Sequence, residues 1–377
     1  MVSSSAGDGQ LDPVLRDMSR RRMIRNAGVL GIGVPALTML LDACSSGSSG
    51  SSSGGSSGGS SGGGPFPGHK KYKFTLVNHV TTNSFFTPTR YGAQDACDIL
   101  GCSYSWTGST DSVVSDMVNA MNSAITANSD GIGVPIIDKT AFTTPTEKAL
   151  SAGIPVISYN ANPPAGSVTP VMSYIGQDLK QAGVEAGQRI LKQVKKGDTV
   201  ACMIATPGTG NIQPRADGAK SVLEPAGINF VQVTTGALEG QELSAVESWF
   251  QGHQSAKFLY AVDAGSGIAV AKTVAKFKST GVKGSGWDVG TPTLQQVKNG
   301  SLDFTIDQQA YLQGFLPILQ LFLYQVSGGL VAPVETNTGL KFVTKANVDP
   351  YLSSTDRYEG SGSAKKVLKV PSSIQAS

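Results

Sequence analysis

From Lys73 onward, short runs of β-branched and aromatic residues alternate with longer stretches whose apolar positions recur every three or four residues. "KFTLVNHV" (73–80) predicts a strand and "TPTRYGAQDACDIL" (87–100) a helix. "SYSWTG" (103–108), "DGIGVPII" (130–137) and "IPVISYN" (154–160) predict three more strands. Between them lie the helical patterns "DSVVSDMVNAMNSAITAN" (111–128) and "TTPTEKALSAG" (143–153). This order predicts a parallel sheet with helices on both faces. The rhythm then restarts, with helical stretches at 178–194, 211–227, 243–253 and 267–281. Strand patterns at 199–206, 228–235 and 256–263, and a short one around Trp287, interleave with them. The predicted fold is therefore α/β, two doubly wound parallel-sheet lobes in series, joined near Ile175 to Asp178. The helix "LQGFLPILQLFLYQVSGG" (312–329) returns to the first lobe, and "GLKFVT" (339–344) is a late strand. Phe315 to Val326 is apolar but too short to span a bilayer, so it reads as a core helix. The tail after Tyr358 predicts no element.

In open parallel sheets, ligands bind beyond the carboxyl ends of the strands, where the loops converge. That rule selects Asn83, Phe85 and Phe86, then Trp106, Asn160, Gln213, Arg215, Asp263, Trp287, Asp288 and Gln308. Two such sets facing each other make a cleft of amides, carboxylates and aromatics. Such a cleft suits a ligand with apolar faces and a rim of hydroxyls.

The N-terminus reads differently. "SRRRMIR" (19–25) is a charged segment similar to the twin-arginine export signal, followed by an apolar run from Asn26 to Leu41. Leu41-Asp42-Ala43-Cys44 resembles the lipobox of bacterial lipoproteins, with Asp42 atypical within it. Residues 1–43 are expected to be an export signal and Cys44 a lipidated residue anchoring the chain to the outer face of the cytoplasmic membrane. Residues 45–64 are only Ser and Gly, a composition that predicts a flexible tether spanning roughly 25 Å.

Composition narrows the chemistry. A net charge of +3 and the lack of a basic stretch interleaved with aromatics argue against a nucleic-acid partner. The three His are far apart and no C-x-x-C occurs, so neither a metal nor another cofactor is expected. Cys202 reads as a small buried hydrophobe; Cys97 and Cys102 close a short loop that an exported chain could bridge. Gly208-Thr209-Gly210 fails as a dinucleotide fingerprint, because Gln213 stands where the third Gly belongs. Asp263 and Asp288 could form an acid–base pair, but nothing else positions a nucleophilic water, so binding rather than catalysis is expected.

At these positions the sequence resembles the class I, ribose- and galactose-type sugar-binding proteins of bacterial ABC importers. "NSFFTPTRYGAQDA", "AGIPVISYN", "IGQDLKQAGVEAG" and "GWDVGTPTLQQVKNGSLDFTIDQ" are similar to that family's motifs in order and spacing. The resemblance implies the type I periplasmic-binding-protein fold, with the lobes joined by a three-crossing hinge. It places residues 72–176 with 309–337 in an N-terminal lobe and 177–308 with 338–377 in a C-terminal lobe, preceded by a linker over 44–71. It puts Asn83, Phe86, Asn160, Asp288 and Gln308 at ligand-contacting positions, with Phe85 and Trp287 as aromatic walls. Ala161 and Gln213 stand where ribose binders carry Arg, which leaves no charged fork donor at the matched positions and argues against ribose itself. The implied function is a monomeric, lipid-anchored receptor delivering a neutral monosaccharide or polyol to an ABC permease. A sensory receptor of the same fold, presenting a sugar-like signal to a membrane kinase, is the alternative.

Overall fold

The computed structural model describes residues 68–329 and 333–353. The expected export signal, Cys44, the Ser/Gly linker and the tail beyond 353 lie outside the described residues.

The first sheet is built on β1 (Lys73–Asn78), which is buried along its length after Lys73, as the near-continuous apolar run of a central parallel strand requires. Beside it lie β2 (Ser103–Gly108), β3 (Gly131–Val134), β4 (Val156–Tyr159), β5 (Tyr174–Gly176) and the late β11 (Glu335–Asn337). Their order is β11-β5-β4-β3-β1-β2, with every pairing parallel. The second sheet repeats the pattern with β6 (Thr199–Ile204), β7 (Asn229–Thr234), β8 (Phe258–Ala261) and β9 (Lys283–Ser285) in the order β7-β6-β8-β9. An antiparallel pair, β10 (Thr305–Asp307) with β12 (Lys341–Val343), continues from β9 through a single bridge between Ser285 and Phe304. Strand order thus reverses between β1 and β3 in one lobe and between β6 and β8 in the other. At those points neighbouring loops part and leave a crevice.

The chain passes between the sheets three times, after β5, before β11 and after it, as the resemblance implies. The passages are stitched together. Thr338 N–H donates to Gly176 O at 2.9 Å, and its hydroxyl donates to Gln308 O at 2.8 Å. The Gln309 amide donates to Thr338 O at 2.8 Å, and that of Gln177 to Gly339 O at 3.1 Å.

Two apolar clusters cover the faces of the first sheet and two cover those of the second; none mixes residues of both lobes. The long apolar helix α9 (Leu312–Ser327) packs on the first sheet as a core helix, with Ile318, Leu321 and Phe322 buried. Among the described residues no helix is long and apolar enough to cross a membrane. Cys202 is buried in β6, and Cys97 and Cys102 are buried as free thiols.

One helix contact bears directly on the cleft. Helix α4 (Leu179–Leu191), N-capped by the Asp178 carboxylate, crosses α5 (Gln213–Leu223) with backbones touching. A Cβ on Gly183 would lie 2.2 Å from Arg215 O, and one on Gly218 would lie 2.2 Å from Lys180 O. This close approach fixes the roll of α5, and hence the direction of Arg215. Helix propensity alone favours Ala over Gly by about 1 kcal/mol. The backbone clash should reverse that sign, so Gly183→Ala is expected to destabilise by about 1–3 kcal/mol in urea unfolding.

Candidate functional site

Six strand-end segments bring the site together. The segment after β1 carries His79, Asn83, Phe85 and Phe86, and the end of β4 carries Asn160. From the second lobe, the loop after β6 brings Asn211 and the start of α5 brings Arg215. The ends of β8, β9 and β10 bring Asp263, Asp288 and Gln308. Apart from a few apolar neighbours, these line a small cavity of about 60 Å³ between the lobes. That is the scale of several water molecules.

Local chemistry explains how each side chain arrives. Asn83 caps a 3-10 turn over Ser84–Phe86: its Oδ1 accepts from Phe85 N–H at 2.9 Å, which leaves its Nδ2 for the cleft. Phe86 is buried, edge-on to His79 at 5.2 Å and to Phe85 at 4.7 Å, with Trp106 tilted against it at 5.9 Å. Trp106 itself donates to Thr81 O at 3.3 Å and supports Phe86 from behind rather than lining the cavity. Asn160 and Asp288 both have left-handed backbones, φ 63° and 68°, which turn their side chains into the cleft as their strands end. Non-glycine residues seldom occupy that region, and such strain clusters at binding sites.

The buried polar groups form one connected network. Gln308 Nε2 donates to Asp288 Oδ1 at 2.6 Å, and Gln308 Oε1 accepts from Arg215 at 3.2 Å and from Gln313 at 3.2 Å. Gln313 Oε1 in turn accepts from Asn160 Nδ2 at 2.9 Å. Arg215 donates to Val262 O at 2.7 Å, and its guanidinium stacks over the Trp287 ring at 4.5 Å. Burial pushes the Asp288 carboxyl up to about 7, although Arg215 and the Gln308 amide pull it down. Asp263 has a largely structural task. Its carboxylate caps α7 (Ala264–Lys276) through Ser266 N–H at 2.8 Å and accepts from Ala205 N–H at 3.0 Å. Beneath it lies buried Glu242, whose carboxyl is pushed up to about 9 by burial and by Asp263, so it is neutral at pH 7.

The lobes touch across the cavity through polar contacts. Asn211 Nδ2 lies 3.2 Å from His79 Nε2, and Gly210 N–H donates to Ile137 O at 3.1 Å. Burial, reinforced by the Arg215 charge, pushes the His79 imidazole down to about 4, so it is neutral at pH 7. Three buried atoms of cavity-lining side chains find no protein partner: His79 Nδ1, Asn211 Oδ1 and Arg215 Nε.

Of the eleven residues that the strand-end rule selects, eight line the cavity: Asn83, Phe85, Phe86, Asn160, Arg215, Asp263, Asp288 and Gln308. Besides Trp106, the structure does not bring Gln213 or Trp287 there. Gln213 points away and bonds Gly208 N–H at 2.8 Å and Asp217 at 2.7 Å. Trp287 is fully buried in the second lobe's core beneath Arg215, so it is not an exposed wall. A fork donor does reach the cavity, at Arg215 rather than at Gln213. Sequence reasoning missed His79, Asn211 and Gln313. His79 follows β1 directly and satisfies the same strand-end rule that selects Asn83.

A larger groove of about 430 Å³ opens outside the cavity and shares Phe85, Ala264 and Asp288 with it.

Comparison with known proteins agrees with this geometry. The family described as "Periplasmic binding protein domain" matches residues 74–327. The chain is similar to the xylose/arabinose-binding protein XylF of Sulfolobus acidocaldarius, with 47% identity over 327 residues, 83% of this chain and 81% of that protein. It is also similar to a D-ribose/D-allose-binding protein of Pseudomonas aeruginosa, at 26% identity over 71% of this chain and 89% of that one. Its fold matches a solute-binding protein from Burkholderia graminis solved with D-arabinose, with a TM-score of 0.68 and 25% identity over 74% of this chain and 96% of that one. Two wound lobes, a polar cleft between them and a family match across most of the described residues lead to one conclusion: the chain belongs to the periplasmic binding protein family, type I fold.

Proposed function

We propose that this chain is an extracytoplasmic receptor that captures a neutral monosaccharide in the cavity between its lobes and delivers it to an ABC importer. The observation that carries this reading is the convergence of buried polar atoms from both lobes on one cavity, three of them without a protein partner. A buried donor or acceptor left unpaired costs about 1–3 kcal/mol, which a ligand hydroxyl recovers. Phe86 and Phe85 supply flat apolar area for the C–H faces of a ring. The xylose/arabinose-binding relative makes pentoses the first ligands to test.

Sugar contacts to both lobes favour the closed arrangement over the open one. The lobe boundaries we assign are 72–176 with 309–337 and 177–308 with 338–377, closing about the three stitched passages. Cys44, lipidated after export, would hold the receptor at the outer membrane face near its permease.

A thermal-shift screen of pentoses, hexoses and polyols tests the reading. A ligand at a hundred times its Kd adds about 2.7 kcal/mol of stability. Phe86→Ala and Asp288→Asn should each weaken the best ligand by roughly 5- to 150-fold, about 1–3 kcal/mol in titration calorimetry. Unchanged affinity in both variants would remove the cavity from consideration, and turnover of a chromogenic glycoside would replace binding with catalysis.

The pH profile follows from His79 and Asp288 together. Its proton affinity is depressed in the folded, closed form, from 6.5 to about 4. Its contribution is therefore full above about pH 6.5 and lost as pH falls through 4. The shift corresponds to roughly 3 kcal/mol. Asp288, raised by burial, works in the opposite sense: its contribution is full near pH 4 and fades as pH rises towards 7. The two terms nearly offset each other, so sugar affinity in the parent protein should change little from pH 7 down to 4, whereas in His79→Asn the Asp288 term stands alone and affinity should rise as pH falls.

For the anchor, Cys44→Ala should move the protein from the membrane fraction to the soluble one without changing sugar affinity. Retention of that variant on membranes would overturn the lipid assignment.

A further inference from the structure

The outer groove has the size of a small-molecule pocket in its own right. Its volume of about 430 Å³ lies within the range of roughly 300–1,000 Å³ usual for ligand sites. It meets the inner cavity at Phe85, Ala264 and Asp288, which line both. The Asp288 carboxylate and the Phe85 ring therefore border both spaces.

The two spaces differ in chemistry. The inner one is ringed by buried amides, a guanidinium and a carboxylate, which count hydroxyls strictly. The outer one has apolar walls from both lobes. Tyr91 on α1 (Thr87–Leu100) contributes one, with 37% of its surface exposed. Ile268 on α7 and Pro292 at the start of α8 (Thr291–Asn299) contribute the other. Exposed Lys272 and Glu239 edge the groove and offer a donor and an acceptor at the solvent boundary. Apolar walls interspersed with the hydroxyl side chains of Ser84, Thr87, Thr291 and Thr293 suit a second sugar ring, whose faces are C–H and whose rim is hydroxyls.

We propose that the cleft takes a disaccharide or short glycoside, with its terminal ring in the inner cavity and the next ring in the outer groove. This rests on the sugar-receptor reading above and extends its substrate class. The inner ring is selected by the hydroxyl pattern that the polar network demands. Asp288 sits where the linkage between the rings would pass, so the same carboxylate borders both subsites.

Titration calorimetry on the purified chain with D-xylose and xylobiose separates the two readings. We expect xylobiose to bind within tenfold of D-xylose or more tightly. Ile268→Trp, which fills the groove without touching the inner cavity, should weaken xylobiose at least tenfold and D-xylose less than threefold. Tyr91→Ala, on the exposed wall, should weaken xylobiose at least threefold with D-xylose again unchanged. D-xylose affinity doubles as the folding control for both variants. Binding of D-xylose without xylobiose overturns the second subsite and leaves the receptor reading intact. Loss of uptake in Ile268→Trp with both affinities unchanged also overturns it, marking the groove as a protein contact instead. Binding of neither sugar removes the pentose-receptor reading and this inference with it.

Discussion

The carboxamide of Gln308 is the junction on which the cleft depends. One N–H serves the Asp288 carboxylate, and the carbonyl oxygen accepts from both Arg215 and Gln313. An amide offers donors on one side and two lone pairs on the other, and here both sides are engaged. No charged residue can substitute. Glutamate would set a second carboxylate against Asp288, and lysine would set a second cation against Arg215. Gln308 also directly follows β10, at one of the passages between lobes, so the group that orders the site also ties it to the hinge. Because the network is buried, each partner holds the next in place, and breaking one bond leaves others unpaired in a low-dielectric setting.

The distribution of apolar surface divides the lobes into two separately packed bodies. Each sheet is covered on both faces by its own clusters, and no cluster crosses the cleft. What does cross is polar: the His79–Asn211 contact and the Gly210–Ile137 backbone bond. Such contacts can be exchanged for water at little net cost, unlike a packed apolar interface. Three hydrogen-bonded chain passages then limit the relative motion to a hinge.

Much of this was legible in the sequence because helix and strand periods are strong over eight or more residues. The alternation from Lys73 to Thr206 gave the wound sheets, and the strand-end rule led to Asn83, Phe86, Asn160, Asp288 and Gln308. Three-residue strands such as β5, β10 and β11 carry no period, and the polar "ETN" of β11 gives no burial signal. Gln213 and Arg215 are two residues apart on one helix, about 200° of rotation, so only one can face the cleft. Which one does is fixed by the contact of Gly183 with the Arg215 backbone, a tertiary fact with no local signature. Trp287 went astray for a related reason. Its place beside Asp288 suggests a wall, but the left-handed turn at Asp288 sends the carboxylate into the cavity and leaves the indole beneath Arg215. His79 sits at the end of an apolar run, where the pattern marks it as part of a strand.

The left-handed residues have an evolutionary consequence. Asn160, Asp288 and Gln309 all adopt φ near 60° at points where the chain leaves a strand at the cleft or hinge. Folding alone would be served as well by glycine at each, since glycine takes that conformation without a Cβ penalty. Glycine would discard the amide or carboxylate that the bend presents. At these positions selection for a relaxed backbone and selection for recognition therefore pull apart. A lineage drifting away from its ligand should accumulate glycine there first, whereas one merely changing ligand should keep a short polar side chain and vary its neighbours.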